Sequence, residues 1–133
     1  MSKEWDVLVA SANLEHRRSL VRILEELPIN VITVSTFQQA EEVLSRQPIA
    51  LMFSDQRLPD GSYKELLDHT QATVQPPRMV LTTEPDEPVD PQEVAGGQVL
   101  GTLKYPFHAT DVELHVIRAA HEEREEASAA TTH

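Results

Sequence analysis

Apolar residues gather in five short runs: Val7-Leu8-Val9, Val31-Ile32-Thr33-Val34, Ile49-Ala50-Leu51-Met52-Phe53, Met79-Val80-Leu81 and Val99-Leu100. The first four are nearly continuous rather than alternating, which is the pattern of strands buried on both faces in a parallel sheet. Between the runs the apolar period becomes helical. Over residues 14–27, Leu20, Leu24 and Leu27 fall at i, i+4, i+7, with Arg17, Arg18 and Arg22 beside them and Pro28 as the stop. A second helix is predicted from Thr36, where Thr36 and Gln39 have capping-box spacing; Ala40, Val43 and Leu44 form its stripe. A third is predicted over residues 62–74, with Leu66, Leu67 and Thr70 facing in. The last begins near Thr110, with Glu113 again at capping-box spacing and Val112, Val116, Ala119 and Ala120 on its inner face.

One element is weak. The stretch from Glu84 to Gly97 carries Pro85, Pro88 and Pro91, and proline inside a helix costs about 3 kcal/mol. About one turn from Pro91 is all the pattern allows, so the fourth helix is weak or missing and the rest is an acidic loop. From Glu122 the chain is charged and then rich in Ala and Thr. We therefore expect one domain over residues 1–124 and a disordered tail over 125–133. Alternating strands and helices imply a doubly wound parallel sheet with right-handed crossovers. In such a sheet ligands bind at the carboxyl ends of the strands. The residues to watch are Ser11, Ala12 and Asn13, Ser54 and Asp55, Thr82 and Thr83, and Lys104 and Tyr105.

Composition narrows the function classes. The 133 residues suit a single domain. With 22 acidic and 11 basic residues the formal charge is −11, and such a surface repels phosphate backbones, so no direct nucleic-acid contact is expected. There is no cysteine, which removes thiolate and zinc–cysteine chemistry and fits a cytoplasmic location. Neither a secretory-signal pattern nor an apolar run of about 20 residues is present, so no membrane partner is expected. The six histidines (16, 69, 108, 115, 121 and 133) are scattered without metal-ligand spacing and read as surface residues.

Asp55 follows a buried strand and precedes Gln56-Arg57-Leu58-Pro59-Asp60-Gly61. An aspartate at a strand end, proline four residues on and then glycine resembles the receiver domains of bacterial response regulators. Thr82 at the end of the fourth strand, the Pro106-Phe107 pair and the five-strand alternation extend the resemblance over roughly residues 5–124. It implies a flavodoxin-like (βα)5 fold with strand order 2-1-3-4-5 and no enzymatic turnover. It further implies Asp55 as the acceptor of a phosphoryl group from phosphohistidine, Thr82 as a hydrogen-bond donor to that group, and a strand-five lysine paired with it. Magnesium would be held by Asp55, the backbone carbonyl of Arg57 and an acidic pair at the end of strand one. The implied partners are a sensor histidine kinase or phosphotransfer protein, and another protein that receives the output.

The chain departs from that pattern in four places. Ser11 and Ala12 stand where the acidic pair belongs. Ser11 and Asn13 offer neutral oxygens, so magnesium binding is expected to be weak. Tyr105 occupies the lysine position, and Lys104 comes one residue earlier. Alternation along a strand would aim Lys104 away from the site unless a bulge restores it. Thr102 replaces the aromatic residue expected three before the lysine, and Tyr63 replaces a second glycine. Two function classes follow. One is a phosphorelay receiver that accepts phosphoryl on Asp55 weakly or conditionally. The other is a phosphorylation-independent pseudo-receiver that works as a protein-interaction module. A nucleotide or flavin binder would need a glycine-rich loop after strand one, and Ser11-Ala12-Asn13-Leu14-Glu15 has none.

Overall fold

The computed structural model describes residues 5–70, 76–94 and 99–131. In chain order the elements are β1 (Asp6–Ala10), α1 (Leu14–Leu24), β2 (Asn30–Val34), α2 (Phe37–Arg46), β3 (Leu51–Asp55), β4 (Arg57–Leu58), β5 (Gly61–Ser62), α3 (Tyr63–Thr70), β6 (Arg78–Thr83), α4 (Pro91–Val94), β7 (Val99–Lys104) and α5 (Ala109–Thr131). Five strands form one parallel sheet in the order β2-β1-β3-β6-β7. Counting only those five, the order is 2-1-3-4-5, as expected. The remaining two, β4 and β5, make a short antiparallel hairpin beside it.

The continuous apolar runs exist because the central strands are covered on both faces. Val7, Val9, Leu51, Phe53 and Val80 pack with Leu20 and Leu24 of α1 and Val112 and Ala119 of α5. Leu8, Ala10, Met52, Met79 and Leu81 pack on the opposite face with Ala40 and Leu44 of α2 and Leu66 of α3. Successive side chains point to opposite faces of a strand, so each run supplies both layers of core. Among the described residues no helix is long and apolar enough to cross a membrane.

Local chemistry sets the helix boundaries. The Asn13 side chain caps α1, its Oδ1 accepting from the N–H groups of Glu15 at 2.9 Å and His16 at 3.2 Å. That helix ends at Leu24, and Leu27 belongs to the tight turns after it, with its N–H on the Leu24 carbonyl at 3.0 Å. Thr36 caps α2 by accepting from the Gln39 N–H at 3.1 Å. The return contact shifts by one residue, because Gln39 Oε1 accepts from the Ser35 N–H at 2.9 Å. At α5 the His108 carbonyl accepts from Asp111 and Val112, so Thr110 lies inside the first turn rather than at the cap. The α5 backbone stays helical through residues 125–131 to Thr131, a stretch in which alanine, the strongest helix former, recurs. Three prolines reduce the fourth helix to the four residues of α4. Residues 71–74, which the sequence pattern gives to the third helix, lie outside the described residues.

The loop after β3 is fastened to α2. Asp60 accepts from the Phe37 N–H at 2.6 Å and the Gln38 N–H at 3.1 Å, supplying two of the partners that the first turn of a helix lacks. These bonds favour the carboxylate and hold the Asp60 pKa below its ordinary value of 3.8. A depressed folded-state pKa stabilises the fold above the unfolded pKa, and that contribution disappears as pH falls through the folded value. Asp60→Ala is therefore expected to be less stable than the parent near neutrality, with the difference vanishing in acid below the ordinary aspartate range. Urea midpoints of both proteins across that range check this; a difference independent of pH would contradict it.

Candidate functional site

Three strand ends meet at one carboxylate. Phe53 and its neighbours bury β3 up to its last residue, which leaves Asp55 at the rim of the sheet and only partly exposed. In the ladder Asp55 pairs with Thr82 of β6. The Thr82 hydroxyl donates to Asp55 Oδ1 at 2.7 Å. On the other side, the Ser11 hydroxyl donates to Oδ2 at 2.9 Å and the Ala12 N–H to the same oxygen at 3.2 Å. Both carboxylate oxygens are thus engaged by neutral donors of the chain itself. Ser11 and Thr82 are 1% and 2% exposed, so these contacts lie inside the fold.

The neighbouring residues are committed as well. Ser11 Oγ accepts from the Asn13 N–H at 3.2 Å, and Asn13 Oδ1 is spent on the cap of α1. Arg17 Nη1 donates to the Ser11 carbonyl at 2.6 Å. Of the basic stripe on α1, Arg17 therefore turns toward the site, while Arg18 and Arg22 stay exposed beside a half-exposed Leu14.

Magnesium needs about six hard oxygens in near-octahedral geometry. Among the described residues Asp55 is the single carboxylate placed here; the oxygens of Ser11 and Asn13 already have partners, and Arg57 pairs with Ser62 in the β4–β5 hairpin. Among the described residues no group of three His, Cys, Asp or Glu is placed to hold a metal. The residues present do not fit the ion. Glu84, a carboxylate near enough in sequence to supply a ligand, is turned to His16 instead, with Oε1 3.0 Å from Nε2.

Lys104 is exposed at the end of β7, opposite Thr83, and no ion pair joins it to Asp55 among the described residues. A bulge does occur in β7: Met79 pairs with Val99 but Val80 with Gly101, leaving Leu100 as the extra residue. It lies upstream, and Lys104 lines the groove of Thr102, His108, Asp111 and Arg118 beside α5. The lysine position belongs to Tyr105, whose bond to Pro106 is cis. Its ring stacks on His16, with centroids 4.4 Å apart and planes at 19°, and both rings meet Phe107 edge-on.

His16 corrects the reading of the histidines as surface residues. It is 4% exposed and shares the buried face of α1 with Leu20 and Leu24. The spacing i, i+4, i+8 was the available signal. His115 on α5 is also partly buried. Desolvation, helped by the Arg118 charge, holds its imidazole pKa below the ordinary 6.5. His69 pairs with Glu41 across α3 and α2 at 3.3 Å.

No family model matches the sequence, and no curated protein matches it. The fold does have close counterparts among solved structures. The signal receiver domain of an HD domain-containing protein from Pseudomonas fluorescens Pf-5 superposes with TM-score 0.81 at 19% identity, over 96% of this chain and 95% of that one. The signal receiver domain of a LuxO repressor protein from Vibrio parahaemolyticus gives 0.76 at 24%, over 91% and 96%. The chemotaxis response regulator CheY4 of Vibrio cholerae gives 0.74 at 18%, over 86% and 98%. These likenesses establish the receiver-domain fold.

Proposed function

We propose that this chain, which has the receiver fold, is an interaction module of a two-component signalling system whose partner binding does not wait for phosphorylation. One observation carries the reading: both oxygens of Asp55 are held by Ser11, Ala12 and Thr82, and among the described residues no cationic side chain is ion-paired with it, Arg17 being spent on the Ser11 carbonyl. An acceptor carboxylate needs an oxygen lone pair aimed at phosphorus and positive charge to stabilise the transferring group, and each hydrogen bond that Asp55 accepts weakens its oxygens as nucleophiles. Here the carboxylate works as an anchor that ties β1, β3 and β6 together. The module carries out no turnover, and a cytoplasmic location fits its composition. Its proposed partners are a sensor histidine kinase or phosphotransfer protein, and a protein that receives the output. The exposed Arg18 and Arg22 on an otherwise acidic chain offer a complementary face to an acidic partner.

A second reading is favoured by Thr82, which stands 2.7 Å from Asp55, where a phosphoryl oxygen would need a donor. In that reading a carboxylate oxygen of Asp55 forms a bond to phosphorus as the phosphohistidine N–P bond breaks, and the leaving imidazole takes a proton. Acetyl phosphate with magnesium, followed by intact mass, separates the two. The anchor reading expects no adduct on the parent. An adduct on the parent that is missing from Asp55→Asn would establish the acceptor instead.

A further inference from the structure

We propose that His16 is a strap that holds the segments leaving β6 and β7 in one fixed arrangement, an inference that rests on the phosphorylation-independent reading above. Three side chains from two segments converge on this ring. The side chain of Glu84, two residues beyond Thr82, reaches Nε2 at 3.0 Å. Tyr105, the residue after β7, lies flat on one face. Phe107, just before α5, closes from the edge. The residue is fixed from its own side too, because Asn13 Oδ1 accepts from the His16 backbone N–H and Leu20 and Leu24 bury the same face of α1.

The hydrogen-bond pattern assigns the tautomer. Nε2 faces a carboxylate and carries the proton, while Nδ1 is buried with no partner among the described residues. His16 therefore makes one directed polar contact, and aromatic packing does the rest. Both tethered segments connect with the Asp55 cluster. The Tyr105 N–H donates to the Thr83 carbonyl at 2.9 Å, linking the two exits to each other. Glu84 opens a turn in which the Glu87 N–H meets its carbonyl at 3.1 Å and its own N–H meets Glu87 Oε1 at 3.0 Å. Further along, Gln56 Nε2 donates to the Pro88 carbonyl at 3.1 Å, so the residue after Asp55 secures the same loop. In this chain an aromatic stack already joins the two exits, and Thr82 is already on Asp55.

Amide hydrogen exchange on the whole chain, with His16→Ala, His16→Phe and Glu84→Ala, tests the strap. His16→Ala is expected to raise exchange at the Tyr105 amide at least tenfold relative to amides of β1 and α2. His16→Phe retains the stack and should leave Tyr105 protected. Glu84→Ala, at a half-exposed site that tolerates change, should raise exchange at Glu87 about tenfold and spare Tyr105. Long-range ¹H–¹⁵N correlation on the parent should show the Nε2–H tautomer. Unchanged Tyr105 protection in His16→Ala would overturn the strap. So would an equal loss at every amide, because His16 would then be an ordinary core residue. The phosphorylation assay reads the underlying function separately: an adduct on the parent removes that reading, whatever the exchange data give.

Discussion

Phe53→Ala is expected to lower the free energy of unfolding by about 3–5 kcal/mol, the range for truncating a buried phenylalanine. Phe53 is fully buried at the centre of the sheet, two residues before Asp55. In the ladder it lies between Val9 of β1 and Val80 of β6, and its face is closed by α1 and α5. Its ring fills the layer those helices cover, and backbone strands held on both sides relax poorly into the void. The cost should therefore include a cavity as well as lost transfer energy. Urea denaturation checks it: the midpoint should fall with an unchanged slope. A loss under about 1 kcal/mol would mean that the layer collapses around the gap, as cores of looser packing do.

Gly61→Ala is expected to cost about 1–3 kcal/mol, the usual penalty for overpacking. A Cβ built at Gly61 would stand 2.6 Å from Phe37 Cδ2, 2.7 Å from Cγ and 3.1 Å from Cβ. The ring has little room to retreat, because the Phe37 N–H is held by Asp60, the residue just before Gly61. The glycine is thus needed for close approach to an aromatic ring. A double-mutant cycle isolates the clash. Adding Phe37→Ala should make the alanine at 61 nearly neutral, so the two changes together cost less than their sum. Strict additivity would mean that Phe37 is not the obstacle.

Much of this was legible from pattern. Continuous apolar runs such as Leu51-Met52-Phe53 identify strands covered on both faces, and Pro85, Pro88 and Pro91 foretell the short α4. Asp55 stood out because a charged residue closes an apolar strand and a turn follows. Contacts between distant parts of the chain were not legible. Asp60 meets its partners 22 and 23 residues back, and nothing local distinguishes it from a solvated turn aspartate. Ser11 reads as the loss of a charge, yet its hydroxyl becomes a donor to Asp55 across 44 residues. The bulge at Leu100 had one local signal, the adjoining Gly101, because a glycine inside a strand often marks a bulge. His16 shares its helical face with Leu20 and Leu24, but its polarity drew it toward the surface reading.

The link between Asp60 and α2 also limits the freedom of the loop after β3. The five residues after Asp55 are pinned at both ends, by three donors on Asp55 and two on Asp60. Pairing of β4 with β5 and the Tyr63 N–H on the Gln56 carbonyl at 3.1 Å also fix the path, and Leu58 is buried. Such a loop has little freedom left to lose. A protein that docks against it meets a preorganised surface and pays little for ordering it. Association should then resemble rigid-body docking, with affinity changes among variants of this loop appearing mainly in the dissociation rate.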